Sequence, residues 1–157
     1  MARAMTAHAT DGTILVLNGP NLNMLGTREP GIYGSEGLGG IERRCSAACE
    51  SAGLALRFEQ SNHEGTLIDA LHSMMGVRGG VAFNAGAYTH TSLALHDAIR
   101  AIDVPVVEVH LSNVHAREAV RHHSMMAAAC RGVISGFGPL GYELAIRALV
   151  DAMKGEQ

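Results

Sequence analysis

Five short runs of aliphatic and β-branched residues, separated by longer stretches with helical spacing, constrain this chain more than any single motif in it. The runs are TILVL (13–17), LALRFE (54–59), GVAFN (80–84), VPVVEV (104–109) and GVISG (132–136). Between them lie GIERRCSAACESAG (40–53), GTLIDALHSMMG (65–76), THTSLALHDAIRAI (89–102) and a shorter segment around AREAVRHHS (116–124), and GYELAIRALVDAM (141–153) closes the chain. In the third of these stretches Leu93, His96, Ala98 and Ile102 recur at helical spacing, with Thr89 or Thr91 as candidate caps. Strictly alternating strand and helix patterns predict a parallel sheet covered by helices on both faces. Five strands favour a flavodoxin-like winding over a full dinucleotide-binding fold. One α/β unit is expected over 13–157, preceded by a frayed tail over 1–12.

A sheet of this kind binds ligands beyond the carboxyl ends of its strands, so strand assignment is also site assignment. The five run ends lead into NGPNLNMLG, QSNHEG, NAGAYTHTS, EVHLSNVHAR and GFGPLG. Each is rich in amides, imidazoles or glycine, and the topology gathers all five at one edge.

Composition removes several alternatives. With 12 Lys and Arg against 15 Asp and Glu, the formal charge is −3, and no basic stripe or basic-flanked aromatic run marks a nucleic-acid surface. The apolar fraction of 47% argues against disorder. No stretch approaches the length of a membrane span, and MARAMTAHATDG lacks the apolar centre of a secretory signal, so a cytoplasmic protein is expected. Cys45, Cys49 and Cys130 are odd in number and read as free thiols of a reducing compartment. GFGPLG has the glycine spacing of a dinucleotide loop, but no strand and no ribose-binding acid follow it, so it reads as a tight turn. NGPNLNMLGT lacks the Gly-Lys-Ser/Thr ending of a phosphate loop, and no G-x-S-x-G elbow is present. The nine histidines include no HExxH and no Asp/Glu/His cluster, so no catalytic metal is expected.

What remains is a set of polar residues suited to a small polyhydroxylated acid. Asn21, Asn84 and His90 can hydrogen-bond hydroxyls or carbonyls. Ser112 and the backbone amides of HLSN can cradle a carboxylate beside Arg121, and His110 is a candidate acid. The loop GTREPGIYGSEGLGG (26–40) carries Arg28 and Tyr33. A free tyrosine ionises near pH 10, and a guanidinium beside it favours the phenolate and makes it a usable base. Arginine keeps its own proton and contributes only its charge. Singly, each residue has a structural account: Asn84 as a strand end, Glu108 as a satisfied buried carboxylate, Asp97 and Arg117 as subunit salt bridges.

The blocks LNGPNLNMLGTREPGIYG, QSNHEGTLIDALH, FNAGAYTHTSLALHDAI, VEVHLSNVHAREAVRHHS and GFGPLGYELAIRAL closely resemble type II 3-dehydroquinate dehydratases, in order, from about Ile14 to Leu149. The resemblance implies a flavodoxin-like, cofactor-free lyase that eliminates water from 3-dehydroquinate in the shikimate or quinate pathway, assembled as a dodecamer of four trimers. By the same resemblance Tyr33 is the base, Arg28 depresses its pKa, and Asn21 holds the water that stabilises the enolate. His110 is the acid and Glu108 orients it. Ser112 and the amide of Leu111 bind the substrate carboxylate, while Asn84, His90 and Arg121 hold the ring hydroxyls. Asp97 enters from a neighbouring subunit. The chain departs from the family pattern at SEGLGG, where Gly37, Gly39 and Gly40 weaken a helix start. Two other readings are a non-catalytic binding protein, which would lack the Tyr33, Arg28 and His110 set, and a flavodoxin-like electron carrier, for which three Tyr, three Phe and no Trp offer little stacking surface.

Overall fold

In β1 (Thr13–Asn18) every residue after the first is buried, although side chains in a strand alternate between two faces. Ile14 and Val16 enter one apolar cluster and Leu15 and Leu17 the other, so this strand has a core on each side. The computed structural model describes residues 11–27 and 36–155. Among them, β1, β2 (Ala55–Gln60), β3 (Gly79–Asn84), β4 (Val106–His110) and β5 (Gly132–Ser135) form one sheet in the order β2-β1-β3-β4-β5. All pairings are parallel. This is the flavodoxin-like winding expected from the strand count.

Two helices cover each face. The helices α1 (Leu38–Ser51) and α4 (Leu140–Lys154) bury Ile41, Cys45, Tyr142, Ile146 and Leu149 against Ile14, Val16, Val107 and Val109. On the other face α2 (Glu64–His72) and α3 (Leu93–Ala101) bury Leu67, Leu71, Leu95 and Ile99 against Leu15, Leu17, Val81 and Phe83. Each fully buried aliphatic side chain contributes on the order of 1.5–3 kcal/mol from water exclusion. These two clusters therefore hold the layers together, and the loops at the strand ends are free to carry polar groups.

The helical pattern differs from the sequence reading in three places. The inward face of α3 is Leu95, Ala98 and Ile99, while Leu93 stands 57% exposed. Its cap is neither Thr89 nor Thr91 but Ser92, whose side chain accepts from the Leu95 backbone N–H at 2.9 Å. Thr89 instead lies buried in a preceding 3-10 turn, Gly86–His90. The segment around 116–124 forms no α-helix. Arg117 and Glu118 are extended, at ψ −169° and 148°, and separate two single 3-10 turns. Strand four begins after Pro105, which has no N–H to offer the ladder, and the Pro105 carbonyl accepts from Val81. Most of the expected N-terminal tail lies outside the described residues.

Candidate active site

Neighbouring strands reach their carboxyl ends in register. Gln60, Asn18 and Asn84 close β2, β1 and β3 side by side. The chain leaves β1 toward β2 on one side, and β3 lies on the other, which makes the β1/β3 boundary the switch point where such sheets open a crevice. The Gly19 N–H donates to the Asn84 carbonyl at 2.7 Å and ties the two departing loops together. Beyond them lies an open cleft lined by Asn21, Asn84, His90, His110, Ser112 and Arg121 among others.

Asn21 adopts a left-handed backbone, with φ 68°, the one non-glycine residue with positive φ among the described residues. Asparagine tolerates this region better than most side chains, and such strain gathers at functional sites. The Asn62 side chain accepts the Asn21 N–H at 3.0 Å and holds the turn. Opposite it, Gly86 takes φ 59°, and a Cβ there would sit 3.0 Å from the Pro20 carbonyl, so the two cleft walls approach closely only because this residue is glycine.

His110 and Glu108 project from the same face of β4, two residues apart. Glu108 has no exposed surface, and its Oε1 accepts both from His110 Nε2 at 3.0 Å and from Ser124 Oγ at 2.6 Å. A buried carboxylate needs such partners. The bond occupies Nε2 and leaves Nδ1 as the ring nitrogen not engaged by Glu108. His90 stacks beside His110, with ring centroids 6.4 Å apart. The His90 Nδ1–H donates to the His123 carbonyl at 2.8 Å and fixes the ring. The cationic wall is Arg117 and Arg121, both paired to Glu118, at 3.6 Å and 3.1 Å. A hydrogen bond from its own backbone N–H, and then the Arg121 guanidinium, hold the Glu118 carboxyl below its ordinary value.

The fold thus brings Asn21, Asn84, His90, His110, Leu111, Ser112 and Arg121 to one cleft and sets Glu108 directly behind His110. Asp97 is exposed on α3 and does not line this chain's cleft. Arg28 and Tyr33 lie outside the described residues. Three supporting residues escaped the sequence reading. Ser124 and Tyr142 fell in helical segments, and Asn18 in the polar loop that follows the first run. Arg117, read as a subunit contact, lines the cleft. Only the position of Ser124 at the close of the VEVHLSNVHAREAVRHHS block hinted at a role, since hydrogen bonding across 16 residues leaves no local pattern. Among the described residues no group of three or more His, Cys, Asp or Glu is placed to hold a metal.

A buried carboxylate–histidine pair, amides and arginines thus gather at the switch point of a parallel α/β sheet, the constellation of an enzyme cleft. The chain belongs to the class II dehydroquinase family, whose description, "Dehydroquinase class II", matches residues 12–150. It is 66% identical over 137 residues to a 3-dehydroquinate dehydratase of Rhizobium johnstonii, covering 87% of this chain and 94% of that one. Its structure resembles the type II dehydroquinase of Propionibacterium acnes, with TM-score 0.87 and 39% identity over 90% of this chain and 98% of that one. The type II dehydroquinase of Butyrivibrio crossotus is similar at TM-score 0.84 and 41% identity, covering 88% and 97%.

Proposed function

We propose that the cleft converts 3-dehydroquinate to 3-dehydroshikimate by anti elimination of water. The observation that carries this reading is the Glu108–His110 pair held in a cleft of amides and arginines, in a chain with 66% identity to a named 3-dehydroquinate dehydratase. Tyr33, activated by Arg28, takes the proton next to the ketone and leaves an enolate. Asn21, strained and fixed by Asn62, holds the water that stabilises the enolate oxygen, the kind of preorganised contact that supplies most of the barrier reduction in such steps. The enolate then re-forms its carbonyl and expels the β-hydroxyl, which departs as water with a proton from His110. Glu108 stabilises the imidazolium before transfer and fixes the ring. Ser112 and the Leu111 amide bind the carboxylate, and Asn84, His90 and Arg121 hold the hydroxyls.

The reading extends to assembly and setting. Asp97 serves the cleft of a neighbouring subunit, which accounts for its exposure here, and the assembly is a dodecamer of four trimers in the cytoplasm. The step belongs to the shikimate or quinate pathway. Mixing the protein with 3-dehydroquinate and following the ultraviolet absorbance of the conjugated product tests the chemistry. Wild type is expected to give a steady rise, and Tyr33→Phe to lower it by roughly a hundredfold or more. A flat trace from assembled wild type would overturn the assignment.

A further inference from the structure

Behind the cleft runs a line of buried polar groups that ends on Asn84, and the mechanism above uses no other member of it. The Asn18 side-chain amide donates to the Glu59 carbonyl at 3.2 Å. The Tyr142 hydroxyl donates to Asn18 Oδ1 at 2.7 Å, and it accepts from Asn84 Nδ2 at 2.9 Å. Asn84 Oδ1 accepts the Gly86 N–H at 3.2 Å. Asn18, Tyr142 and Asn84 come from β1, α4 and β3, and all are nearly or fully buried.

The polarity of this line is determined at its ends. One end is a backbone carbonyl, which can only accept, and the other a backbone N–H, which can only donate. Every bond between must therefore run in one direction. A reversed Asn84 would set its NH₂ against the Gly86 N–H and its carbonyl against a hydroxyl whose single proton is already given to Asn18. Burial pushes the Tyr142 phenol well above its ordinary value, so the hydroxyl keeps that proton across neutral pH.

We propose that Tyr142, which has no exposed surface and does not line the cleft, is a positioning residue for substrate binding: with Asn18 it locks the Asn84 amide so that its remaining N–H is a fixed donor for an acceptor oxygen of the substrate. Asn84 itself lines the cleft, at 4% exposure, and the Gly86 bond and Tyr142 bond leave it one amide hydrogen. A site built to hydrogen-bond a substrate oxygen discriminates strongly only when its donor cannot turn away. Tyr142→Phe removes one of the two partners that hold the amide and leaves only the Gly86 N–H. Asn18→Ala takes away the acceptor of the hydroxyl's proton, so the hydroxyl no longer offers Asn84 a fixed acceptor.

This inference rests on the proposed function, and the experiment separates the two. Kinetics on 3-dehydroquinate are measured beside calorimetric binding of quinate, a polyhydroxylated carboxylate, to folded variants. In Tyr142→Phe, KM and the quinate Kd are expected to rise about tenfold, the scale of one lost directed hydrogen bond, with kcat altered less than about threefold. In an Asn84→Ala background the same substitution should add less than about twofold, because residues that act through one another are not additive. Unchanged binding in folded Tyr142→Phe, or a full additive loss on top of Asn84→Ala, would overturn the proposal. Should Tyr142→Phe fail to fold, Asn18→Ala decides the matter by the same measurements. Wild type that binds quinate without turnover would sink the dehydratase reading and leave the binding test intact.

Discussion

Glu108 concentrates the demands on a single residue here. It is a carboxylate with no exposure, and both of its hydrogen bonds converge on one oxygen, from an imidazole and from a serine hydroxyl. Ser124 also accepts from the backbone of Met126 and Ala127 at 3.1 and 3.0 Å, so the chain beyond the cleft is folded around this hydroxyl. Ser124→Ala is expected to cost about 1–3 kcal/mol, read as a lower midpoint in urea, because a buried charge loses a donor. It should also lower kcat about three- to tenfold with little change in KM, since the Glu108–His110 pair loosens while the binding groups stay. Equal kcat in a folded variant would show that His110 alone holds Glu108 in place. The pair itself was legible only through the family resemblance, which named Glu108 as orienting His110, and the structure places both on β4. Its serine partner was not, because a contact between β4 and a distant loop has no spacing of its own.

The same contrast holds for the elements. The five strands stand close to the hydrophobic runs, with β1, β3 and β4 buried along nearly their whole length and the edge strands β2 and β5 only partly buried. The start of α3 was misread because three hydroxyl residues, Thr89, Thr91 and Ser92, lie within four positions and the preceding 3-10 turn selects among them. Ser92→Ala should destabilise the protein by about 1 kcal/mol, whereas Thr91→Ala should be nearly neutral by the same thermal or urea measurement. The helix α1 begins at Leu38 despite Gly37, Gly39 and Gly40 and without a side-chain cap. Tertiary contacts take the place of local preference. The Glu36 side chain lies over Gly40, where a Cβ would meet its Cγ at 2.5 Å, and Arg44 ties Glu36 to Glu143 of α4 at 3.2 and 3.1 Å. The helical pattern at 116–124 yielded to extended backbone at Arg117 and Glu118, between two 3-10 turns of which the second carries Arg121.

For the whole molecule, burial of the thiols couples stability to pH. Desolvation pushes Cys45 up to about 12 and Cys49 to about 11. Unfolded thiols ionise near pH 8.5, so the folded state binds protons that the unfolded state releases above that value. The resulting stability is complete below pH of about 8.5 and should fall as pH rises from there toward these raised values, as read from urea midpoints across the alkaline range. Cys45→Ala with Cys49→Ala should flatten that slope, and native wild type should react with a thiol reagent far more slowly than unfolded chain. The amino-acid sequence by itself determined the sheet class, the winding, the edge at which the site forms and most of the residues gathered there. Those follow from hydrophobic periodicity and from residue types at strand ends, both of which are local. Only the tertiary structure decided which hydroxyl caps α3, which serine supports Glu108, and that Tyr142 and Asn18 face one another behind Asn84. Hydrogen bonding between buried groups depends on distance and direction in space, and residues 58 and 124 positions apart carry no sequence pattern that announces them as partners.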